Sequence, residues 1–349
     1  FTFLILSWAA LLTYNTILSI NSNLTQDFPD APPYPDPVIG MPASVSSARK
    51  PRRLFHTALT ASDSIYNAWQ SRVMYYWFKK HRDRPTSEMG GFTRILHSGV
   101  PDRFMDEIPT FVAQPLPEGV DQGFVVLNRC WGVVQWLQKV EIVEDYVLMA
   151  EPDHLIVKPI PNLSVDGFAA AYSFFYIEPQ RFENILRRYL PREYGPITEI
   201  DPIGNSPVII HKDDLRKVAP TWMNVSLAMK RDPEADKEFG WVLDMYGYAV
   251  ASALEGVRNL LRKEFMVQPP WSTEIGKAYI IHYTYGCDYD LKGKFMPGKY
   301  GEWRFDKRSY SDSWPPRNLS LPPPGVPETV VTLVKMVNEA SANLPNWGS

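Results

Sequence analysis

The spacing of apolar positions changes several times along the chain. LFHTALT (54–60) is an apolar, β-branched run that predicts a strand, and Ser62 or Asp63 is placed to cap the helix after it. That helix, IYNAWQSRVMYYWFKKH (65–81), carries an aromatic face and a basic last turn. GGFTRILHSG and IPTFVAQPL read as two further strands, LNRCWGVVQWLQKV as a helix, and YVLMA as a buried strand. This alternation predicts a parallel sheet covered on both faces by helices.

The second half mixes orders. GFAAAYSFFYI and SPVIIHK predict strands, the second leading into a helix that ends near Pro220. PEADKEFGWVLDMYGYAVASALEGV predicts one long amphipathic helix with Pro233 near its start, KAYIIHYTYG a strand, and PETVVTLVKMVNEASANL a closing helix. With no internal repeat and no splitting linker, residues 54–349 form one α/β domain: a mixed, mostly parallel sheet flanked by helices.

Two segments precede it. Residues 1–20, FTFLILSWAALLTYNTILSI, are almost uncharged and about as long as a bilayer span, which predicts a signal-anchor helix; a cleaved signal peptide or a soluble apolar helix are the alternatives. The chain starts at Phe1 and not at Met, as expected of a fragment. Residues 21–53 are rich in Pro, Ser and Ala and read as a stem. N-x-[ST] sequons at Asn23, Asn162, Asn224 and Asn318 suit a chain of the secretory lumen.

Hydrophobic residues at 45% and charged ones at 21% fit a globular protein, and a net charge of −3 gives no reason to expect nucleic acid as a partner. Cys130 and Cys287 can pair in an oxidising compartment, although nothing in their spacing shows that they meet. No CxxC, GxxxxGK[ST], strand-borne GxGxxG, GxSxG or HExxH occurs, which removes structural zinc, phosphate-loop, dinucleotide, serine-hydrolase and zinc-protease readings.

The chemistry concentrates in a few places. Glu151-Pro-Asp153-His154 directly follows YVLMA, where an α/β sheet binds ligands, and an acidic-x-Asp turn there can hold Mg²⁺ or Mn²⁺ against a diphosphate; a solvated turn is the plain alternative. His282, between apolar residues, is either a core histidine or a further ligand. Arg304, Lys307 and Arg308 can bind phosphate oxygens from a mobile loop, or face water. Trp241, Asp244 and Tyr248 recur at helical spacing, so that Asp244 can orient a substrate hydroxyl; a capping or salt-bridged surface residue is the plain alternative. The turn Asp201-Pro-Ile-Gly204-Asn205-Ser206-Pro207 can cradle an acceptor or simply be a well-made turn.

Long runs then become familiar: YNAWQSRVMYYWFKK, SEMGGFTRILHSG, DEIPTFVAQPLP, DQGFVVLNR, EDYVLMAEPDHLIVKPIPNL, IDPIGNSPVI, APTWMNVSLAMK, YIIHYTYGCDYD and GEWRFDKRSY. From about Leu54 to Trp347 the chain resembles the plant and algal hydroxyproline O-arabinosyltransferases. The peptidyl-serine α-galactosyltransferases share the plan more distantly. The resemblance implies a type II Golgi membrane enzyme with a GT-A-like fold and its catalytic domain in the lumen. The implied reaction moves L-arabinofuranose from UDP-β-L-arabinofuranose to 4-hydroxyproline in secreted peptides and extensin-like wall proteins, with retention.

The same resemblance implies a role for each candidate residue. Asp153, Glu151 and His282 hold Mn²⁺ (or Mg²⁺), with Glu151 reaching the ribose or a metal-bound water. His56, Thr57 and Thr60 hold the uridine, and Asp121 and Gln122 open the helix beside the donor sugar. Arg304, Lys307 and Arg308 meet the diphosphate, while Asn205, Ser206, Trp241 and Tyr248 face the acceptor. Asp244 is the candidate catalytic carboxylate beside Asp153.

Two departures stand out: Cys130-Trp131-Gly132 where Pro-Trp-Ala is expected, and Asp244 where Glu is expected. The first puts a family-wide disulfide in doubt. The second leaves open a nucleophile or a front-face reaction that needs none. A galactosyltransferase of serine and a non-catalytic lectin-like subunit are the rivals. A glycosidase is excluded, because Glu151 and Asp153 adjoin on one strand and cannot flank a scissile bond.

Overall fold

The computed structural model describes residues 53–165 and 167–348. The expected anchor, residues 1–20, and the stem up to residue 52 lie outside the described residues. Arg53 already belongs to the domain, donating to the Ser164 carbonyl at 2.6 Å. Among the described residues no helix is long and apolar enough to cross a membrane. Apart from 297–299, the described residues belong to one compact unit.

Its frame is a seven-stranded sheet ordered β3-β2-β1-β4-β7-β6-β8. The strands are β1 (Phe55–Ala61), β2 (Met89–Leu96), β3 (Thr110–Val112), β4 (Tyr146–Ala150), β6 (Ala169–Ser173), β7 (Ile203–His211) and β8 (Asn259–Leu261). The first four run parallel, β7 runs against both β4 and β6, and β8 is parallel to β6. At the centre β4 reads YVLMA because side chains on both of its faces are buried, which leaves no side for polar residues. The expected turn 201–207 is a correction: Ile203–His211 is strand, and Asn205 and Ser206 are buried within it.

Helix α1 (Ile65–Arg82) is buried nearly all round because it separates two cores. Met74, Tyr75 and Phe78 pack on the sheet, while Trp69, Val73 and Trp77, one turn apart, pack into a second cluster. Its cap is Ser64, whose Oγ accepts from Asn67 N at 3.2 Å, in place of Ser62 or Asp63. Helix α2 (Leu127–Lys139) matches its expected span, and α3 (Glu183–Leu186) is a single turn.

Helix α4 (Lys212–Arg231) passes straight through Pro220. The buried face Leu215, Val218, Trp222, Val225 and Met229 continues across the proline, and this packing outweighs one missing backbone bond. The long helix expected after Pro233 is divided into α5 (Pro233–Phe239), a 3₁₀ turn at Gly240–Val242, and α6 (Leu243–Leu254). Gly240, at φ +48, makes the break in a left-handed conformation that glycine adopts without strain.

Beneath the sheet lie β5 (His154–Ile156), β9 (Met266–Val267) and β10 (Ile280–His282), and a ribbon of β11 (Cys287–Tyr289) and β12 (Trp303–Phe305). Helix α7 (Glu328–Asn343) closes the second core. Cys130 and Cys287 are both buried and free, and they sit in different cores, so the two do not pair. Asn162 is buried, with its Nδ2 donating to the Arg53 carbonyl, whereas Asn224 and Asn318 are exposed.

Candidate active site

Strand β4 ends at Ala150, the chain turns through Glu151–Asp153, and β5 starts at His154. β5 pairs antiparallel with β10, and the register sets His154 opposite His282. That pairing brings a distant strand beside the acidic turn. One ligand atom from each of Glu151, Asp153, His154 and His282 then lies within 4.8 Å of all the others.

The partners of this cluster are specific. His282 Nε2 is 3.1 Å from Asp153 Oδ2, and its Nδ1 lies 3.2 Å from the Gln268 amide. The Lys307 ammonium also rests on Asp153 Oδ2. Burial alone would raise the Asp153 carboxyl, but Lys307 and His282 hold it well below the usual carboxylate range. His154 is fully buried, which brings its imidazole down to about 4 and keeps it neutral. Its Nε2 is buried with no hydrogen-bond partner. An orphan imidazole nitrogen and two anionic carboxylates beside the His282 imidazole form the mixed O/N set that a divalent cation of the Mn²⁺ kind takes. The donor set therefore fits a metal.

Arg129, in the first turn of α2, joins this cluster to a second carboxylate. Its Nη1 donates to Glu151 Oε1 at 2.6 Å and to Asp244 Oδ2 at 3.3 Å. Burial works against an ionised Glu151, but the Arg129 charge outweighs it and holds that carboxyl below its ordinary value. Asp244 is buried more deeply, and desolvation raises it to about 6 although Arg129 opposes the shift. Trp222 Nε1 fixes the Asp244 carbonyl at 2.8 Å and so fixes the start of α6.

The other expected site residues divide. Lys307 stands at the cluster, 5.7 Å from the centre of the Tyr66 ring. Arg304 and Arg308 do not face an open phosphate site: both donate to Asp306, Arg304 at 2.6 Å and Arg308 at 2.8 Å, and Arg304 also reaches Asp288. These pairs tie down the β11–β12 ribbon.

His56 lies at the amino end of β1, with its imidazole between Glu144 and Thr93 at 3.1 and 2.8 Å. His56 pairs with Val147, four residues before Glu151, so the acidic turn begins roughly 13 Å away at about 3.3 Å per residue and His56 is removed from it. Thr57 and Thr60 are buried without hydroxyl partners, and of the two only Thr60 is near the carboxyl end of its strand.

Asp121 and Gln122 precede the helix and do not open it. α2 starts at Leu127, Asp121 accepts from Gly123 N and Asn128 Nδ2, and Gln122 has φ +48. Tyr248 is fully buried with its ring against Trp222, so it leaves the acceptor set. Trp241 is 76% exposed. Asn205 lies three residues before Val208, the partner of Met149, and so stands past the end of β4, level with the acidic turn. Its buried Oδ1 has no partner.

Sequence patterns passed over Arg129 and the ligand role of His154. Arg129 was marked by its position, a cation in the first turn of an otherwise apolar helix, where the helix dipole disfavours it.

The model of the hydroxyproline O-arabinosyltransferase family N-terminal domain matches residues 55–261, and that of the C-terminal domain matches 279–348. Glu151, Asp153, His154, Arg129 and Asp244 come from the first segment, His282 and Lys307 from the second.

Hydroxyproline O-arabinosyltransferase 1 of Arabidopsis thaliana is 67% identical, covering 97% of this chain and 95% of its own. Hydroxyproline O-arabinosyltransferase 2 of the same plant is 63% identical over 99% and 96%. A peptidyl serine alpha-galactosyltransferase of that plant is 25% identical over 74% of this chain and 32% of its own. Among solved structures, the WbbM bifunctional glycosyltransferase covers 84% of this chain and 50% of its own at 10% identity, with a TM-score of 0.44, too low to carry an argument. On the strength of its sequence relatives the chain belongs to the hydroxyproline O-arabinosyltransferase family and is a glycosyltransferase.

Proposed function

We propose that this protein transfers L-arabinofuranose from UDP-β-L-arabinofuranose to the hydroxyl of 4-hydroxyproline in secreted peptides and extensin-like glycoproteins, on a GT-A-like frame. The observation that carries the reading is the convergence of Glu151, Asp153, His154 and His282 at the carboxyl end of β4, within a chain whose relatives are hydroxyproline O-arabinosyltransferases. The Arabidopsis galactosyltransferase is the second reading, and the difference between 67% and 25% identity favours the first.

Asp153, His282, Glu151 and His154 would hold the cation, which supplies Lewis-acid neutralisation of the departing diphosphate. The remaining roles fall to the chain itself. Lys307, on Asp153 in this structure, is the ammonium within reach of diphosphate oxygens. Arg129 orients Glu151 and Asp244 together.

Retention is accounted for by a front-face exchange. The bond from the anomeric carbon to the phosphate oxygen breaks, the hydroxyproline oxygen bonds to the same face, and its proton passes to the departing phosphate. Asp244, bound to Arg129 and buried, positions the acceptor in this scheme and does not attack. Asn205 Oδ1, Ser206 and Trp241 supply the acceptor side. The apolar run 1–20 and the exposed sequons support a single-pass Golgi anchor with the domain in the lumen.

The test is transfer by the full chain to a hydroxyproline peptide and to the matching proline peptide. Each is offered UDP-arabinofuranose or UDP-galactose, with Mn²⁺ or with a chelator. A gain of one pentose on the hydroxyproline peptide alone, and only with metal, is the expected mass change. A hexose gain would move the assignment to the galactosyltransferases, and no gain with any donor to the non-catalytic subunit.

A further inference from the structure

One exposed and one half-buried aromatic ring stand beside the Arg129–Asp244 bridge. Trp241, in the 3₁₀ turn before α6, is 76% exposed and meets the Phe124 ring edge-on with centroids 5.8 Å apart. Val125, next to Phe124, is 61% exposed. The same two segments make the inner contact, since Phe124 lies five residues before Arg129 and Trp241 three before Asp244, and Arg129 and Asp244 meet at 3.3 Å. The rings therefore occupy the solvent end of the junction whose buried end is the carboxylate site. The Lys230 ammonium supports Phe124 from 5.4 Å and is itself paired with Asp236.

Backbone conformation holds the rings out. Gly240, directly before Trp241, and Gln122, two residues before Phe124, both have φ +48. Gln122 is one of two such non-glycine residues among those described, and it persists in a region that costs about 1 kcal/mol or more because its surroundings impose it. A large indole left in water gains nothing for the fold, whereas a flat, rigid aromatic step is the surface on which proline-rich segments dock in their preformed left-handed helix.

We propose that Phe124 and Trp241 form a ledge that binds acceptor residues flanking the target hydroxyproline, with the peptide in polyproline-II conformation. This rests on the acceptor being a hydroxyproline peptide. Trp241 is about one helical turn from Asp244, roughly 5 Å, and a polyproline-II chain advances about 3.1 Å per residue. The ledge thus meets the residue one or two positions from the one that is modified. Flanking prolines are selected by stacking against the rings and by the low entropy cost of a chain that is already extended.

The test uses fluorescent peptides of equal length around one central hydroxyproline, flanked either by prolines or by glycine and serine. Binding to the full chain is read by anisotropy, alongside transfer. The wild-type protein is expected to prefer the proline-flanked peptide about tenfold, close to 1.4 kcal/mol. Trp241→Ala should erase that preference and Trp241→Phe keep most of it, with unchanged circular dichroism because the side chain is outside the core. A preference that survives Trp241→Ala, or a wild-type protein that shows none, overturns the ledge. Absent transfer with an intact, Trp241-dependent preference would sink the catalytic reading and leave the ledge standing.

Discussion

The Lys307 ammonium rests on the carboxylate of Asp153, 154 residues earlier in the chain, at the atom that also faces His282 Nε2. A tethered cation thus occupies a position where a divalent ion would bind. Burial penalises the lysine charge, yet Asp153 more than compensates and the ammonium pKa is raised. Under the proposed reaction, a metal bound through this oxygen would compete with Lys307 for it.

Removing the competitor should tighten the site. Lys307→Met keeps the apolar stem and deletes the charge, and Mn²⁺ titrated calorimetrically should bind about tenfold more tightly, or ~1.4 kcal/mol. Unchanged or weaker affinity would show that the ion does not use Asp153.

The pair also makes a stability prediction. Asp153→Ala leaves a buried, uncompensated ammonium and should cost about 3–5 kcal/mol in urea unfolding. Adding Lys307→Met should recover a large part of this loss, because the double variant buries no orphan charge. Additive losses in the cycle would mean that the two side chains are not coupled. Metal-dependent transfer should vanish in both variants that lack Asp153.

Asp244 gives a pH signature. Its carboxyl is raised from 3.8 to about 6 in the folded protein, with burial dominant and Arg129 and Glu151 the charges facing it. Between these values the folded state binds more protons than the unfolded one, so its contribution to stability is present at low pH and is lost as pH rises towards 6. A displacement of this size corresponds to roughly 3 kcal/mol. Asp244→Asn, which cannot ionise, should therefore gain stability relative to wild type between about pH 4 and pH 6 and hold that gain above it. Parallel unfolding curves across this range would contradict the burial argument.

The legible parts of the sequence were those with a local pattern. YVLMA, the α2 run and the closing helix each carry their period within a dozen residues or so, and the acidic turn is flagged by the buried strand before it. What escaped depends on contacts between distant segments. The pairing of β5 with β10 is three residues long, too short for a pattern, yet it alone sets His154 against His282. The break at Gly240 was hidden because apolar residues continue on both sides of it, and the passage through Pro220 because one buried face outweighs one lost bond. Tyr248 was placed by helical spacing, and His56 by the resemblance and its place on the first strand. Neither property tells which end of a strand faces the site or which side of a helix meets Trp222.

The last prediction concerns the C-terminal tail. Arg72 of α1 is almost wholly buried. Its Nε is 2.9 and 3.0 Å from the two Glu107 oxygens, and Nη2 donates to the Pro345 carbonyl at 2.5 Å. The guanidinium also lies 5.0, 5.5 and 5.7 Å from the ring centres of Phe104, Trp314 and Trp347. This cation therefore joins α1, the 104–107 turn and the tail beside a cavity of about 260 Å³. Arg72→Met should cost about 3–5 kcal/mol in urea unfolding by orphaning Glu107 and the tail carbonyl. Arg72→Lys should recover little, because an ammonium cannot serve a carboxylate, a carbonyl and three rings from one planar fork. Mn²⁺ affinity, measured on the folded variants, should stay at the wild-type value, because no metal-ligand candidate contacts Arg72. A full rescue by lysine would show that charge alone holds the tail, and a loss of metal affinity would show that the tail latch and the site are coupled.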